Sequence, residues 1–140
     1  MCFDNNTVVI IIGVLAAIAL PVFLAQRERS WVAAAQSDLR NAAAAATSCS
    51  QANNGAYFLA GGVDCGDETL GGALEDNGWA NDEDVTLTAT ATANTWHAEA
   101  FHVNLAGCIY EFDYTDPGAA APDPQAGQVH MQTANDPDCP

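Results

Sequence analysis

Residues Val8 to Ala25, VVIIIGVLAAIALPVFLA, form an eighteen-residue run without a charged or strongly polar side chain. That length lies in the lower range for a helix that crosses the hydrocarbon core of a bilayer. The rest of the chain has no comparable run. Gly13 and Pro21 interrupt the run eight residues apart. Proline inside a helix removes a donor and clashes with the preceding turn, at a cost of roughly 3 kcal/mol. A span that keeps one either kinks or has neighbours that satisfy the freed carbonyl. A signal anchor or a signal peptide is the simplest reading of an apolar run near an N-terminus. A cleaved signal peptide fits poorly here, because no basic residue precedes the run and a helical pattern follows directly.

That pattern continues to about Asn53. Val32, Ala35, Leu39, Ala42, Ala46 and Cys49 recur at intervals of three and four, one stripe of an amphipathic helix. Half of the stripe is alanine, so whatever packs on it approaches closely, and Cys49 shares it. Gln51-Ala-Asn-Asn-Gly55 is a stop signal, with asparagine and glycine where a C-cap belongs. A continuous helix from Thr7 to Asn53 would be roughly 70 Å long, so its second half must lie outside any membrane.

Beyond the helix the chain changes character twice. Residues 55–84 are rich in glycine and acids and read as an irregular connection, with short regular pieces possible around Leu70–Leu74. A structureless stretch this long needs a staple or a function, and a Cys49–Cys65 bridge would staple it. From Val85 the period becomes two: VTLTATAT reads as a half-buried strand. TWHAEAFHV (Thr95–Val103), CIYEFDY (Cys108–Tyr114) and a short QVHMQT (Gln128–Thr133) follow as three more strands. The Pro-rich segment Thr115–Ala126 reads as a surface loop. Such an antiparallel meander offers one face to the helix stripe and the other to water.

The chain carries three Lys+Arg against eighteen Asp+Glu, a net charge of −15, and the three basic residues are Arg27, Arg29 and Arg40. So acidic a surface repels phosphate backbones and argues against direct nucleic-acid binding. Four of the five cysteines, Cys49, Cys65, Cys108 and Cys139, lie beyond the apolar run. An even number in a small domain suggests two disulfides and an oxidising compartment. Zinc is the alternative, but no CxxC pair exists. Cys2 is left over as a free thiol. Arg27 and Arg29 follow the span and by themselves would hold the C-terminal part in the cytoplasm; the cysteines point the other way.

Gly13-Val-Leu-Ala-Ala-Ile-Ala-Leu-Pro21 closely resembles the N-terminal helix of bacterial type IV pilins and the related secretion pseudopilins. In that family an acid lies nine positions before the glycine; here Asp4 does, an aspartate where glutamate is usual. Phe23-Leu24-Ala25 and Ala34–Ala42 are also pilin-like, and the resemblance covers Asp4 to Ala46. Asn5, Asn6 and Thr7 depart from it, being polar where the family is apolar. The family's methylated first residue would precede Met1 by one position.

The resemblance implies an α+β fold, a long N-terminal hydrophobic helix packed on an antiparallel four-stranded sheet. It divides the chain into a membrane and filament-core helix (1–25), its amphipathic continuation (26–54) and an acidic globular domain (55–140), comprising loop 55–84, sheet 85–133 and tail 134–140. It implies a structural subunit, exported, that leaves the inner membrane for the core of a helical filament of identical subunits, with pilus assembly machinery as its partner. Adhesion and motility are the functions it implies for the fibre. Asp4, Gly13 and Pro21 become assembly residues, with Asp4 neutralising the N-terminal amine of a neighbouring subunit. The expected bridges are Cys49–Cys65 and Cys108–Cys139, the second resembling the C-terminal disulfide loop of many pilins. A type II secretion pseudopilin and a membrane-anchored acidic binding module are the alternatives.

No enzymatic constellation can be assembled, and no cofactor is expected. Calcium on the acidic clusters Asp64–Glu68, Asp82–Asp84 or Asp136–Asp138 is weighed against a solvated acidic face, the simpler reading, since none has EF-hand spacing. His97 and Glu99 fall on one strand face and His102 on the other, so HAEAFH reads as ordinary sheet surface rather than a zinc motif. Asn5-Asn6-Thr7 matches a glycosylation sequon only by coincidence beside the apolar run.

Overall fold

A computed structural model describes residues 5–115, 127–132 and 139. Helix α1 runs unbroken from Asn5 to Ala52, 48 residues with Pro21 inside it. At 1.5 Å per residue it is roughly 70 Å long. Its second half is alanine-rich, and alanine loses least on entering a helix. The end is built as the sequence predicts. The N–H of Gly55 donates to the Ser50 carbonyl at 2.7 Å, while Asn54 takes the left-handed conformation with φ 60° and Gly55 follows with φ 88°. These are the marks of a Schellman stop. The Asn53 side chain adds bonds to the Ala56 carbonyl at 3.0 Å and the Val63 carbonyl at 3.3 Å, turning the chain back along the helix.

The sheet is a meander of four antiparallel strands in chain order: β1 (Val85–Ala91), β2 (Thr95–His102), β3 (Tyr110–Thr115) and β4 (Val129–Met131). Alternation sets its faces. Val85, Leu87 and Ala89 of β1 are buried while Thr86, Thr88 and Thr90 face water. On β2, Trp96, Ala98, Ala100 and His102 point inward and His97, Glu99 and Phe101 lie half-buried on the outer face. Helix α1 crosses the inner face mainly over β2. There Ala35, Ala42 and Ala46 join Ala98 and Ala100 in one buried core with Leu39, Cys49 and Trp96. Small side chains on both elements let the helix approach the sheet closely, and Trp96 supplies the bulk. Val32 begins the stripe half-buried.

Loop 55–84 is stapled rather than free. Cys49 and Cys65 are bridged, with Cα atoms 5.8 Å apart, and the Trp96 indole N–H donates to the Cys65 carbonyl at 3.0 Å. A four-residue helix α2 (Ala73–Asp76) buries Leu74. Gly72, just before it, has no room for a side chain, because a Cβ would lie 2.6 Å from the Asp67 carbonyl oxygen. The second bridge joins Cys108 and Cys139, Cα atoms 5.6 Å apart.

The strand ends differ from the sequence expectation. Strand β2 stops at His102, because its imidazole Nδ1 accepts the Asn104 N–H at 3.1 Å and caps a 3-10 turn over Val103–Leu105. The Cys108 N–H closes that turn on the Leu105 carbonyl, so β3 begins at Tyr110 rather than Cys108. Strand β4 covers three residues, against six expected. Cys2, Asp4, the Pro-rich segment after Thr115, Thr133 and Asp136–Asp138 lie outside the described residues.

Candidate assembly surface and sheet-face cluster

The two halves of α1 have opposite surroundings. Every residue from Asn5 to Ser30 is exposed, including Val9 at 65%, Ile12 at 59% and Ile18 at 65%. From Trp31 onward the helix is packed on the domain. The apolar window is long enough to cross a membrane, and none of it is buried. A soluble monomer rarely leaves so large a contiguous apolar surface uncovered. Gly13 and Pro21 both lie within it, and a Cβ at Gly13 would meet nothing within 4 Å. Packing among the described residues of the chain therefore does not require glycine there. Pro21 leaves the Ala17 carbonyl without its usual helical donor.

The junction between the halves is marked by a stack. The Arg27 guanidinium lies 5.3 Å from the centre of the Trp31 ring, and Trp31 stacks on the His102 imidazole with ring centres 5.5 Å apart. A cation over an indole face is favourable, and the stack fixes where the bare rod leaves the domain. One turn beyond Ala35, Asp38 is buried, and the Trp79 indole N–H donates to its Oδ1 at 3.0 Å. Among the described residues Asp38 Oδ2 has no hydrogen-bond partner. Burial pushes this carboxyl up to about 6; the Trp79 bond opposes the shift and the charge of Asp82 adds to it.

The acidic clusters singled out as calcium candidates do not converge among the described residues. Asp64 Oδ1 accepts the Gly66 N–H, Asp67 Oδ1 accepts from the Thr69 backbone and hydroxyl, and Asp82 Oδ1 accepts the Asp84 N–H. Each caps its own turn. The side chains that do come together lie on the outer sheet face. His97 pairs in register with Asp113, Glu99 with Glu111, and Glu111 with His130. His97 Nδ1 is 2.6 Å from Asp113 Oδ1 and its Nε2 is 3.4 Å from Glu99 Oε1. His130 Nε2 is 2.9 Å from Glu111 Oε1 and 3.8 Å from Asp113 Oδ2. Burial lowers the His97 affinity for a proton, but Asp113 and Glu99 outweigh it and hold its pKa above the ordinary value. Sequence reasoning placed His97 and Glu99 on one face and stopped there. The further signal was the same alternation in β3, Glu111 and Asp113, with a histidine in the next strand.

No family model, curated protein or solved structure matches this chain.

Proposed function

We propose that this chain is a pilin-like structural subunit that polymerises through the first half of α1 into a helical filament. Before assembly it is held as a single-pass protein in the inner membrane. The observation that carries this reading is the division of α1: one rigid helix whose rear half is packed and whose apolar front half, Val8 to Ala25, is bare. A bilayer covers that surface first, and the same surface of identical subunits covers it in a fibre, where one heterologous contact repeated gives an open helix. The resemblance from Asp4 to Ala46 gives the reading its family, and the two bridges suit a domain exposed to an oxidising exterior.

Electron microscopy of material sheared from cells tests this, with the chain identified in the fibres by mass spectrometry. Long fibres composed of this chain are expected. Chain found only in the membrane fraction, with no fibres, would overturn the reading in favour of an anchored module or a short secretion pseudopilus.

A further inference from the structure

We propose that the outer face of the sheet is a binding site for a divalent transition-metal ion of the zinc class, held by His130 Nε2, Glu111 Oε1 and Asp113 Oδ2. His97 orients Asp113 from the other side. The proposal is independent of whether the chain forms filaments.

The argument begins with charge. Glu111 lies directly opposite Glu99 across the β2–β3 pair and beside Asp113 on its own strand face. Like charges directly opposite on a sheet are destabilising. The three basic residues of the chain, Arg27, Arg29 and Arg40, are all on α1, which packs against the inner face. Among the described residues, what faces these carboxylates is two imidazoles and the Gln132 amide, which donates to Glu99 Oε1 at 3.0 Å. Three acids therefore share a patch with no permanent cation on the sheet.

The hydrogen bonding of His130 then selects what it offers. Its Nδ1 is 3.2 Å from the Gln128 carbonyl oxygen, which only accepts, so Nδ1 carries the proton. Nε2 lies between Glu111 and Asp113, where in the metal-free chain it donates to Glu111 Oε1; an ion that takes the place of that proton would be met by the Nε2 lone pair. An imidazole whose far nitrogen donates to a backbone carbonyl is the usual support of a metal-ligating histidine. Asp113 is held in a matching way. Its Oδ1 accepts a hydrogen bond from His97 Nδ1 at 2.6 Å, which leaves Oδ2 as the oxygen toward His130. Ligand atoms of Glu111, Asp113 and His130 lie within 4.8 Å of one another, close enough to surround one ion.

The donor set decides the class of ion. One imidazole nitrogen and two carboxylates, with water completing a tetrahedron, suit Zn²⁺ and its neighbours. Calcium takes six to eight oxygens, and this set has too few and includes a nitrogen. The strands fix the spacing, and His130 and Glu111 are only 13% and 17% exposed.

The test uses the full-length, disulfide-bonded chain in detergent, titrated calorimetrically with Zn²⁺ and then, once loaded, challenged with Ca²⁺. One Zn²⁺ per chain is expected, with Ca²⁺ at equal concentration failing to displace it. His130→Gln and Glu111→Gln should each abolish the stoichiometric event, and His97→Gln should weaken it by about tenfold, as loss of a supporting partner does. Cys2→Ser and Asp64→Asn should leave it intact. Circular dichroism checks that each variant is folded. Should a ligand variant unfold, Co²⁺ added to the native chain gives a second reading, and the intense visible absorption of a tetrahedral site is expected. Zinc binding that survives His130→Gln in folded protein, that Ca²⁺ displaces equally, or that disappears in Cys2→Ser would overturn the proposal. So would a Co²⁺ complex with only weak octahedral absorption.

Discussion

The indole N–H of Trp79 reaches across from the loop to Asp38 on α1 and donates to its Oδ1 at 3.0 Å, forming a buried bond between residues 41 apart in the chain. Its partner oxygen, Oδ2, has no donor among the described residues, so the bond ties the loop to the helix at the cost of a half-satisfied carboxylate.

That cost gives a pH dependence. With the folded pKa of Asp38 raised to about 6 from 3.8, the folded state holds the proton more tightly than the unfolded state between those values. This group's contribution therefore makes the fold more stable as pH falls from about 6 toward 4, and less stable as pH rises through that window. Asp38→Asn keeps an acceptor for Trp79 and removes the charge. It should raise stability at pH 7 by roughly 2 kcal/mol and flatten the profile between pH 4 and 6. Thermal melts across that range check both. A variant less stable than wild type at pH 7 would show that the ionised carboxylate is better accommodated than its burial implies.

The bridges should matter to stability in proportion to what they close. Cys49–Cys65 spans 16 residues and Cys108–Cys139 spans 31. Chain entropy gives about 3 kcal/mol for the first and slightly more for the second. Serine at either pair should lower the denaturation midpoint accordingly. Serine at the Cys49–Cys65 pair should also free loop 55–84, read as faster amide exchange at Tyr57 and at position 65, whose N–H groups are bonded in the native loop. Non-reducing peptide mapping establishes the pairing itself, and peptides linking Cys49 to Cys108 would refute it.

Gly13 separates folding from assembly. Because a Cβ there meets nothing among the described residues of the chain, Gly13→Leu should express, oxidise and melt like the wild type. If Gly13 allows neighbouring helices to approach or bend in a fibre, fibre yield falls. In the proposed filament α1 should be interrupted between Gly13 and Pro21, whereas in the isolated subunit it is continuous. A filament map with unbroken i to i−4 bonding from Val8 to Leu24 would contradict that expectation.

Asp4 carries the proposed register. A carboxylate at the apolar end of a helix is expensive unless paired, and the amine of a neighbouring subunit is its best partner. Asp4→Ala should leave expression, export and both disulfides unchanged while surface fibres largely disappear. Unchanged fibre yield would make Asp4 no more than a polar cap with Asn5 and Asn6.

How much of this was legible in the sequence follows from how local each signal is. The alanine stripe with Leu39 and Cys49, the Asn54-Gly55 stop and the alternation of VTLTATAT are all written within a few residues, and each lies where its period puts it. Asp38 was not legible as a buried acid. Its burial depends on Trp79, which follows a loop with no period to read. The cluster on the outer face depends on register. Glu99 meets Glu111 only because of the turn that His102 caps, and His130 meets Glu111 only through the placing of a three-residue strand. Neither register is encoded in the strands one at a time.

The placement of the Cys49–Cys65 bridge, at the far end of a helix whose front half is bare, has a mechanical consequence. Tension applied to the front of α1 travels along a rod and arrives at the sheet as shear over β2, the geometry in which many contacts must break together. If the noncovalent contacts do give way, the bridge at Cys49 takes the load before loop 50–64 can unspool, and Cys108–Cys139 keeps the last third of the domain from extending. At roughly 3.3–3.6 Å per extended residue, the two loops withhold on the order of 150 Å of slack. An oxidised chain under load behaves as a short tether, and a reduced one as a long spring.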